Sequence, residues 1–378
     1  MKHPLATRFD GAAEILAEID ARVPDTRDHL AETRATIDAY HPERLRLVVT
    51  DIIDETVSTK TIRLEGLDKK QLPPFLAGQY INVFIDGTSR PYAISSSPAR
   101  LARYDLTVRR VRGGRVSNLL LDAARIGQVL ITTGPMGTFH HNPLFHGRDA
   151  VFLAGGSGVA PAMSMIREIA ERGPDRSFHL VYGSRDASDI IFGPELNEIA
   201  AAHPGIHVDH VITEPGTGWT GATGFLTAGT IARLVGELDG RMVYVCGPQA
   251  LYPYALEQLT ALGHPRKRIR FEANGAPTDP TVQSHWPTDV DPAAEVTVTA
   301  GSVSFRTPRN RPLLDALEDN GIRPEAACRS GECSLCRVRI LKGEVHTAEE
   351  AKLRLSDAQF GYTHSCVAYP ISDVELSL

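Results

Sequence analysis

The sequence has no apolar run close to the ~18 residues needed to cross a bilayer, so no membrane span is expected. Its first residues, MKHPLATRFDG, lack the apolar core of a secretory signal, which points to a cytoplasmic chain. Neither sign of charge dominates. A net charge of −6 over 378 residues carries no basic bias of the kind that draws a protein to nucleic acid. Cysteine is scarce, with five residues of which four share one pattern, so a disulfide framework is excluded and a reducing compartment fits. No internal repeat or low-complexity tract is present, no Ser-His-Asp order is readable, and the acidic pairs form no evident acid–base dyad. His140–His141 are adjacent, and His203, His207 and His210 span a turn and a strand rather than one helix face. A histidine metal site is therefore not expected.

What the sequence does have lies in its last fifty residues. Cys328, Cys333, Cys336 and Cys366 follow the pattern C-x4-C-x2-C…C, the spacing at which four thiolates hold a plant-type [2Fe–2S] cluster. One tight loop supplies three sulfurs and a distant segment the fourth. Gly331 permits a positive φ and a close backbone approach inside the loop, so that amide N–H groups can point at sulfur. The competing reading is structural zinc. Zinc usually takes paired C-x2-C knuckles, and only one such pair is present.

Texture along the chain divides it into five parts. Residues 1–44 carry helical spacing (Ala12, Ile15, Leu16, Ile19, then Leu30, Ile37 and Tyr40) broken at Pro24. They read as a helical extension. Residues 45–147 hold short strands (RLRLVVTDII, TKTIRLEGL, QYINVFI, YDLTVRRV, VLITT) between Gly- and Pro-containing turns, which predict a small antiparallel barrel. Over 148–275, apolar strands (AVFLAG, FHLVYG, HVDHVIT, MVYVCG, RIRFE) alternate with helical stretches, which predicts an α/β parallel sheet covered on both faces. Residues 276–292 are rich in Pro, Asp and Thr and read as a linker; residues 293–378 carry the cysteines. The run His264–Arg270 reads as solvated surface, with docking of an acidic partner as the alternative.

Four motifs bear on ligands. RPYAISSSP (90–98) offers a cation for phosphate, an aromatic ring to stack on a flavin and hydroxyls for polar edges, although many strand ends carry Arg and Tyr. In GGRVSNLLLDAA, Gly114, Ser117 and Asn118 precede a helical stretch. Free N–H groups there make an anion site, or Ser117 is simply an N-cap. AVFLAGGSGVAP (150–161) sets Gly155, Gly156 and Gly158 between a strand and a helix, suiting a pyrophosphate or any tight turn. MVYVCGPQALY puts Cys246, Gly247 and Pro248 at a strand's C-terminal end, where α/β sheets bind ligands; Cys246 also reads as a buried structural thiol. Tyr182, Gly183, Ser184 and Arg185 end another strand and would flank adenosine.

Over residues 45–378 these motifs resemble the ferredoxin–NADP reductase superfamily, in particular its flavin reductases with a C-terminal plant-type ferredoxin domain. RPYAISS resembles the family's R-x-Y-S-x-x-S flavin motif, FLAGQY (75–80) its barrel strand, GRVS (114–117) its FAD pyrophosphate segment and GPMGTF (134–139) its barrel-closing turn. The resemblance implies a β-barrel flavin domain, an α/β nucleotide domain and an α+β, β-grasp-like ferredoxin domain. It implies that Arg90 binds phosphate, Tyr92 contacts the flavin, and Ser95, Ser96, Gly114, Val116 and Ser117 support it, with FAD rather than FMN. G-G-x-G-x-x-P, here Gly155, Gly156, Gly158 and Pro161, would take the nicotinamide dinucleotide with Ser184, Arg185, Gly247 and Pro248. Cys246 would lie near the nicotinamide, and Glu272 near the flavin. Two positions depart from the pattern: Ala93 replaces a serine usual beside the flavin, and Asn274 stands near a usual aromatic. Thr213 and Glu214 replace the Ser-Arg that holds a 2′-phosphate in NADPH-using relatives. A carboxylate there favours NADH, with Arg185 as a competing cation.

The implied activity is an NAD(P)H-dependent reductase. Electrons would pass from the nicotinamide through FAD to a cluster held by Cys328, Cys333, Cys336 and Cys366, tuned by Ser334 and nearby N–H groups. They would leave to a terminal oxygenase or hydroxylase. The alternatives are a demethylase, hydroxylamine-type or corrinoid acceptor, or a redox sensor.

Overall fold

The computed structural model describes residues 11–21, 29–40, 44–68, 71–173, 175–272, 275–283, 285–349 and 351–378. The chain divides into two compact units, Met1–Pro42 and Glu43–Leu378. In the first, helices α1 (Ala12–Ala21) and α2 (His29–Tyr40) fall within the stretch where helical spacing predicted them.

The second unit begins with β1 (Leu45–Thr56), β2 (Thr59–Gly66), β3 (Tyr80–Ile85), β4 (Thr88–Ala93), β5 (Arg103–Arg109), α3 (Arg115–Ala123) and β6 (Val129–Thr132). These strands form an antiparallel sheet in the order β4-β3-β6-β1-β2-β5. A single bridge from Ile94, just past β4, to Leu106 in β5 closes it. Leu47, Val49, Ile62, Leu64, Ile81, Val83 and Leu106 fill the interior, and α3 adds Val116, Leu120 and Leu121 to the same core. β4 was not among the strands read from the sequence, because its residues TSRPYA include a proline and a cation. The proline is tolerable because β4 ends the hydrogen-bonded order. FLAGQY becomes a strand only at Tyr80; before it, Gly78 takes φ +103, and a Cβ there would lie 2.1 Å from the Phe139 carbonyl oxygen.

The nucleotide domain follows: β7 (Asp149–Gly155), α4 (Val159–Arg172), β8 (Ser177–Ser184), α5 (Gly193–Ala202), β9 (Ile206–Ile212), β10 (Ala222–Thr223), α6 (Ala228–Val235), β11 (Met242–Cys246), α7 (Leu251–Ala261) and β12 (Ile269–Glu272). All its strand pairings are parallel, in the order β10-β9-β8-β7-β11-β12. β7 explains why its sequence is apolar throughout. Ala150, Phe152 and Ala154 face one core with α4 and α5, and Val151 and Leu153 face the other with α6 and α7. The chain moves from β7 to β8 on one side and returns to β11 on the other. The crevice at the carboxyl ends of β7 and β11 is thus a topological switch point, where open α/β sheets bind ligands.

The last domain contains β13 (Glu295–Ala300), β14 (Val303–Pro308), α8 (Leu313–Asp319), β15 (Arg337–Lys342), β16 (Val345–Thr347), α9 (Leu355–Gln359), β17 (Tyr362–His364), β18 (Ala368–Pro370) and β19 (Val374–Ser377). Its main sheet runs β14-β13-β19-β15-β17, and β16 pairs with β18. α8 packs Leu313 and Leu317 onto Val298, Ala368 and Leu376. The presumed linker is not bare tether. Trp286 is buried against His346 and Tyr369, and the Tyr369 hydroxyl donates to the Pro277 carbonyl at 2.6 Å.

Candidate functional site

One cavity of about 1250 Å³ runs between the barrel, the switch point of the parallel sheet and the cysteine loop. That exceeds the ~300–1,000 Å³ of an ordinary small-molecule site, so more than one ligand fits.

On the barrel side, β4 presents Arg90, Tyr92 and Ala93 to the cavity. The Arg90 guanidinium donates to Thr88 Oγ1 (3.0 Å) and to the Ser89 carbonyl (2.8 Å). It forms no ion pair with a described residue, and burial, followed by the nearby Arg329 cation, pushes its pKa down. A half-buried cation with no ion-pair partner among the described residues fits a phosphate. Burial raises the Tyr92 phenol, so its hydroxyl stays protonated. α3 brings Gly114, Val116 and Ser117 to the same wall. Gly114 occupies the N-cap position, so Ser117 is the helix's third residue and not its cap.

Ser95 and Ser96 depart from expectation. They do not line the cavity, because their hydroxyls are committed to β5. Ser95 Oγ donates to the Asp105 carbonyl (3.0 Å), and Ser96 Oγ accepts from the Asp105 N–H (3.1 Å). Their own carbonyls accept from Arg167 (2.8 Å) and Ser164 (2.7 Å) of α4, tying the barrel to the nucleotide domain.

On the nucleotide side, Gly155, Gly156 and Pro161 line the cavity at the start of α4. Gly156 takes φ +51, a conformation suited to glycine. Gly158 serves packing instead: a Cβ there would lie 2.1 Å from the Cys246 carbonyl oxygen. Tyr182 does not line the cavity either. Its ring is fully buried, and its hydroxyl donates to the Gly156 carbonyl at 3.0 Å, bracing the turn from beneath. Ser184, Arg185, Thr213, Cys246, Gly247 and Pro248 line the wall, whereas Glu214 stands outside it with its carboxylate 3.9 Å from the Arg185 Nε. Cys246 is almost fully buried at the end of β11. Three contributors went unread in the sequence. Arg109 reaches the cavity from β5 while paired with Asp189, and Phe225 and Tyr254 form an edge contact at the lining. Nothing local marks them, because their roles arise only when distant segments meet.

Glu272 ends β12 in the cavity wall. Burial pushes its carboxyl well above the usual range, and Glu332 and Cys328 push the same way. Its Oε2 is buried without a hydrogen-bond partner. Asn274 lies outside the described residues.

The cysteine loop closes the cavity: Cys328, Arg329, Ser330 and Cys366 line it. The Cys328 sulfur accepts from the N–H groups of Ser330 (3.4 Å), Glu332 (3.3 Å) and Cys333 (3.3 Å). Hydrogen bonds with the Cys333 and Cys366 thiols hold its pKa far below the ordinary thiol range. Cys336 is lowered in the same way by Cys366. Gly331 has φ +80, as its place in the loop predicted, and its carbonyl accepts from His364 Nδ1 (2.8 Å). Four convergent sulfurs, one already supplied with three N–H donors, fit a [2Fe–2S] cluster.

Comparison with known proteins agrees with this geometry. Residues 46–141 match the oxidoreductase FAD-binding domain family, 152–256 the oxidoreductase NAD-binding domain family and 296–370 the 2Fe-2S iron-sulfur cluster binding domain family. The chain is 31% identical to the ferredoxin reductase component of 3-ketosteroid-9-alpha-monooxygenase from Mycolicibacterium smegmatis, over 87% of this chain and 95% of that one. It is also 31% identical to the glycine betaine monooxygenase reductase subunit of Pseudomonas aeruginosa, covering 85% and 92%. The solved structure of phthalate dioxygenase reductase superposes with a TM-score of 0.64 at 25% identity, covering 89% of this chain and 98% of that one. Fold and site thus define an NAD(P)H-dependent oxidoreductase that carries FAD and a [2Fe–2S] cluster. The chain belongs to the family of three-domain iron–sulfur flavoprotein reductases that includes these ferredoxin reductase components. It moves electrons from NADH through FAD to the cluster and on to an electron-accepting partner.

Proposed function

We propose that the protein is the reductase component of a multicomponent oxygenase, with a terminal oxygenase as its acceptor. The observation that carries this reading is a single cavity walled by the flavin motif, the nucleotide-binding glycine turn and two of the four cluster cysteines. When bound, FAD takes a hydride from NADH and releases electrons singly, and the [2Fe–2S] cluster holds one at a time. The protein's own contribution is placement.

Arg90 would hold a flavin phosphate, with Gly114, Val116 and Ser117 at the start of α3 supporting the rest of the dinucleotide. Tyr92 would flank the flavin ring. Gly155, Gly156 and Pro161 would admit the coenzyme pyrophosphate at the start of α4, with Ser184 and Arg185 along the adenosine. Cys246, Gly247 and Pro248 would border the nicotinamide. The buried Glu272 carboxyl, whose pKa burial raises, would stand beside the flavin. Cys328, Cys333, Cys336 and Cys366 would ligate the cluster. Ala93 leaves its position without a hydroxyl, so any polar contact there has to come from backbone or coenzyme.

The test is NADH- and substrate-dependent oxygen uptake with a Rieske-type oxygenase from the same cell. Uptake is expected with the unmodified protein. Cys333→Ser should abolish it while NADH–ferricyanide activity persists. Uptake by Cys333→Ser at the unmodified rate would contradict the reading.

A further inference from the structure

The cysteine loop has two sides. Cys328 and Cys366 face the flavin cavity, whereas Cys333 and Cys336 do not. Cys333 alone of the four is partly exposed. Electrons therefore enter past Cys328 and Cys366, and the way out lies beside Cys333.

The surface at that exit is specific in character. Leu335, between two cluster cysteines, is 44% exposed, and Leu355 and Phe360 are 76% and 67% exposed. They belong to one face. Arg337, two residues beyond Leu335, reaches Asp357 of α9 at 3.0 Å, and Arg339 Nε donates to the Phe360 carbonyl at 3.1 Å. Charge on the face is uneven. Arg337 and Lys352 are paired with Asp357 and Glu332, but the exposed Arg339 and Arg354 form no ion pair with a described residue. A cationic rim whose Arg339 and Arg354 are without ion pairs among the described residues stands out in a chain of net charge −6. It matches the anatomy of a protein interface, an apolar centre within a charged rim.

We propose that this face, built from Leu335, Arg337, Arg339, Arg354, Leu355 and Phe360, docks the electron acceptor, and that the acceptor presents an acidic rim around an apolar centre. Charge complementarity commits the face to that partner. Opposite charge speeds encounter and fixes orientation, and the apolar centre holds the complex while an electron crosses from beside Cys333. The inference deepens the reductase reading and rests on it.

Stopped-flow reoxidation of the NADH-reduced holoprotein tests it with two probes, an acidic Rieske-type ferredoxin and a cationic cytochrome c. The ferredoxin should react faster, and its rate constant should fall about tenfold between low and high salt. Arg339→Glu combined with Arg354→Glu should slow the ferredoxin about tenfold at low salt and speed the cytochrome. Leu355→Ser combined with Phe360→Ser should slow the ferredoxin without changing its salt dependence. Reduction of the cluster by NADH serves as control, and its absence in the unmodified protein would overturn the reductase reading itself. If the cluster is reduced but the charge-reversed protein serves the ferredoxin at the unmodified rate, the docking surface is wrong.

Discussion

We propose that the charges of Glu214 and Arg185 set which coenzyme the site accepts. The Glu214 carboxylate lies 3.9 Å from the Arg185 guanidinium, with Asp186 also near at 3.6 Å, so the cation that could hold a 2′-phosphate is already countered. NADH should therefore show the higher kcat/KM. Glu214→Ser should raise kcat/KM for NADPH about tenfold, or ~1.4 kcal/mol; an unmodified protein that prefers NADPH would refute the charge argument. This pair was legible because both residues sit at strand ends whose order the sequence reveals. His146 was not legible. Its Nδ1 accepts from the Asn142 N–H (3.0 Å) and the Tyr244 hydroxyl (2.6 Å), which requires a neutral ring. Burial first, then Arg270, His141, His140 and Arg268, push its pKa from 6.5 down to about 4. A depressed folded pKa means the unfolded chain takes the proton first. The stabilisation is complete above the unfolded value and is lost as pH falls from 6.5 to about 4. Thermal midpoints across that window should fall less steeply for His146→Gln than for the unmodified protein.

Among the elements, the turn between β7 and α4 shows how a motif can be read correctly and explained incompletely. Its glycines were legible as a place where backbone approaches a ligand. Gly155 and Gly156 do line the cavity, whereas Gly158 is glycine because the turn presses on the end of β11. A Cβ there would meet backbone at 2.1 Å and 2.6 Å, atoms that cannot swing aside. Gly158→Ala should cost ~2 kcal/mol or more in urea unfolding. Gly216→Ala, where nothing lies within 4 Å, should change stability by no more than ~0.5 kcal/mol. Equal effects would show that the turn yields. The serine run after β4 teaches the same lesson: Ser95 and Ser96 looked like flavin contacts, and tertiary pairing with β5 claimed their hydroxyls.

For the whole molecule, domain order was legible because each part has its own period: short alternating strands, then apolar strands with helices, then the cysteine loop. The packing of 276–292 was not, since a Pro- and Asp-rich stretch reads as tether until Trp286 is seen under His346 and Tyr369. Nor could the sequence show that Cys328 and Cys366, far apart in the chain, share a wall with Arg90 and Cys246. We propose that hydride entry and one-electron exit meet at that shared wall. Anaerobic mixing of the holoprotein with NADH, followed by absorbance for the flavin and by freeze-quench EPR for the cluster, tests it most directly. Rapid flavin bleaching followed by cluster reduction is expected. A flavin that bleaches only over minutes, or a cluster that stays oxidised beside a reduced flavin, would contradict it.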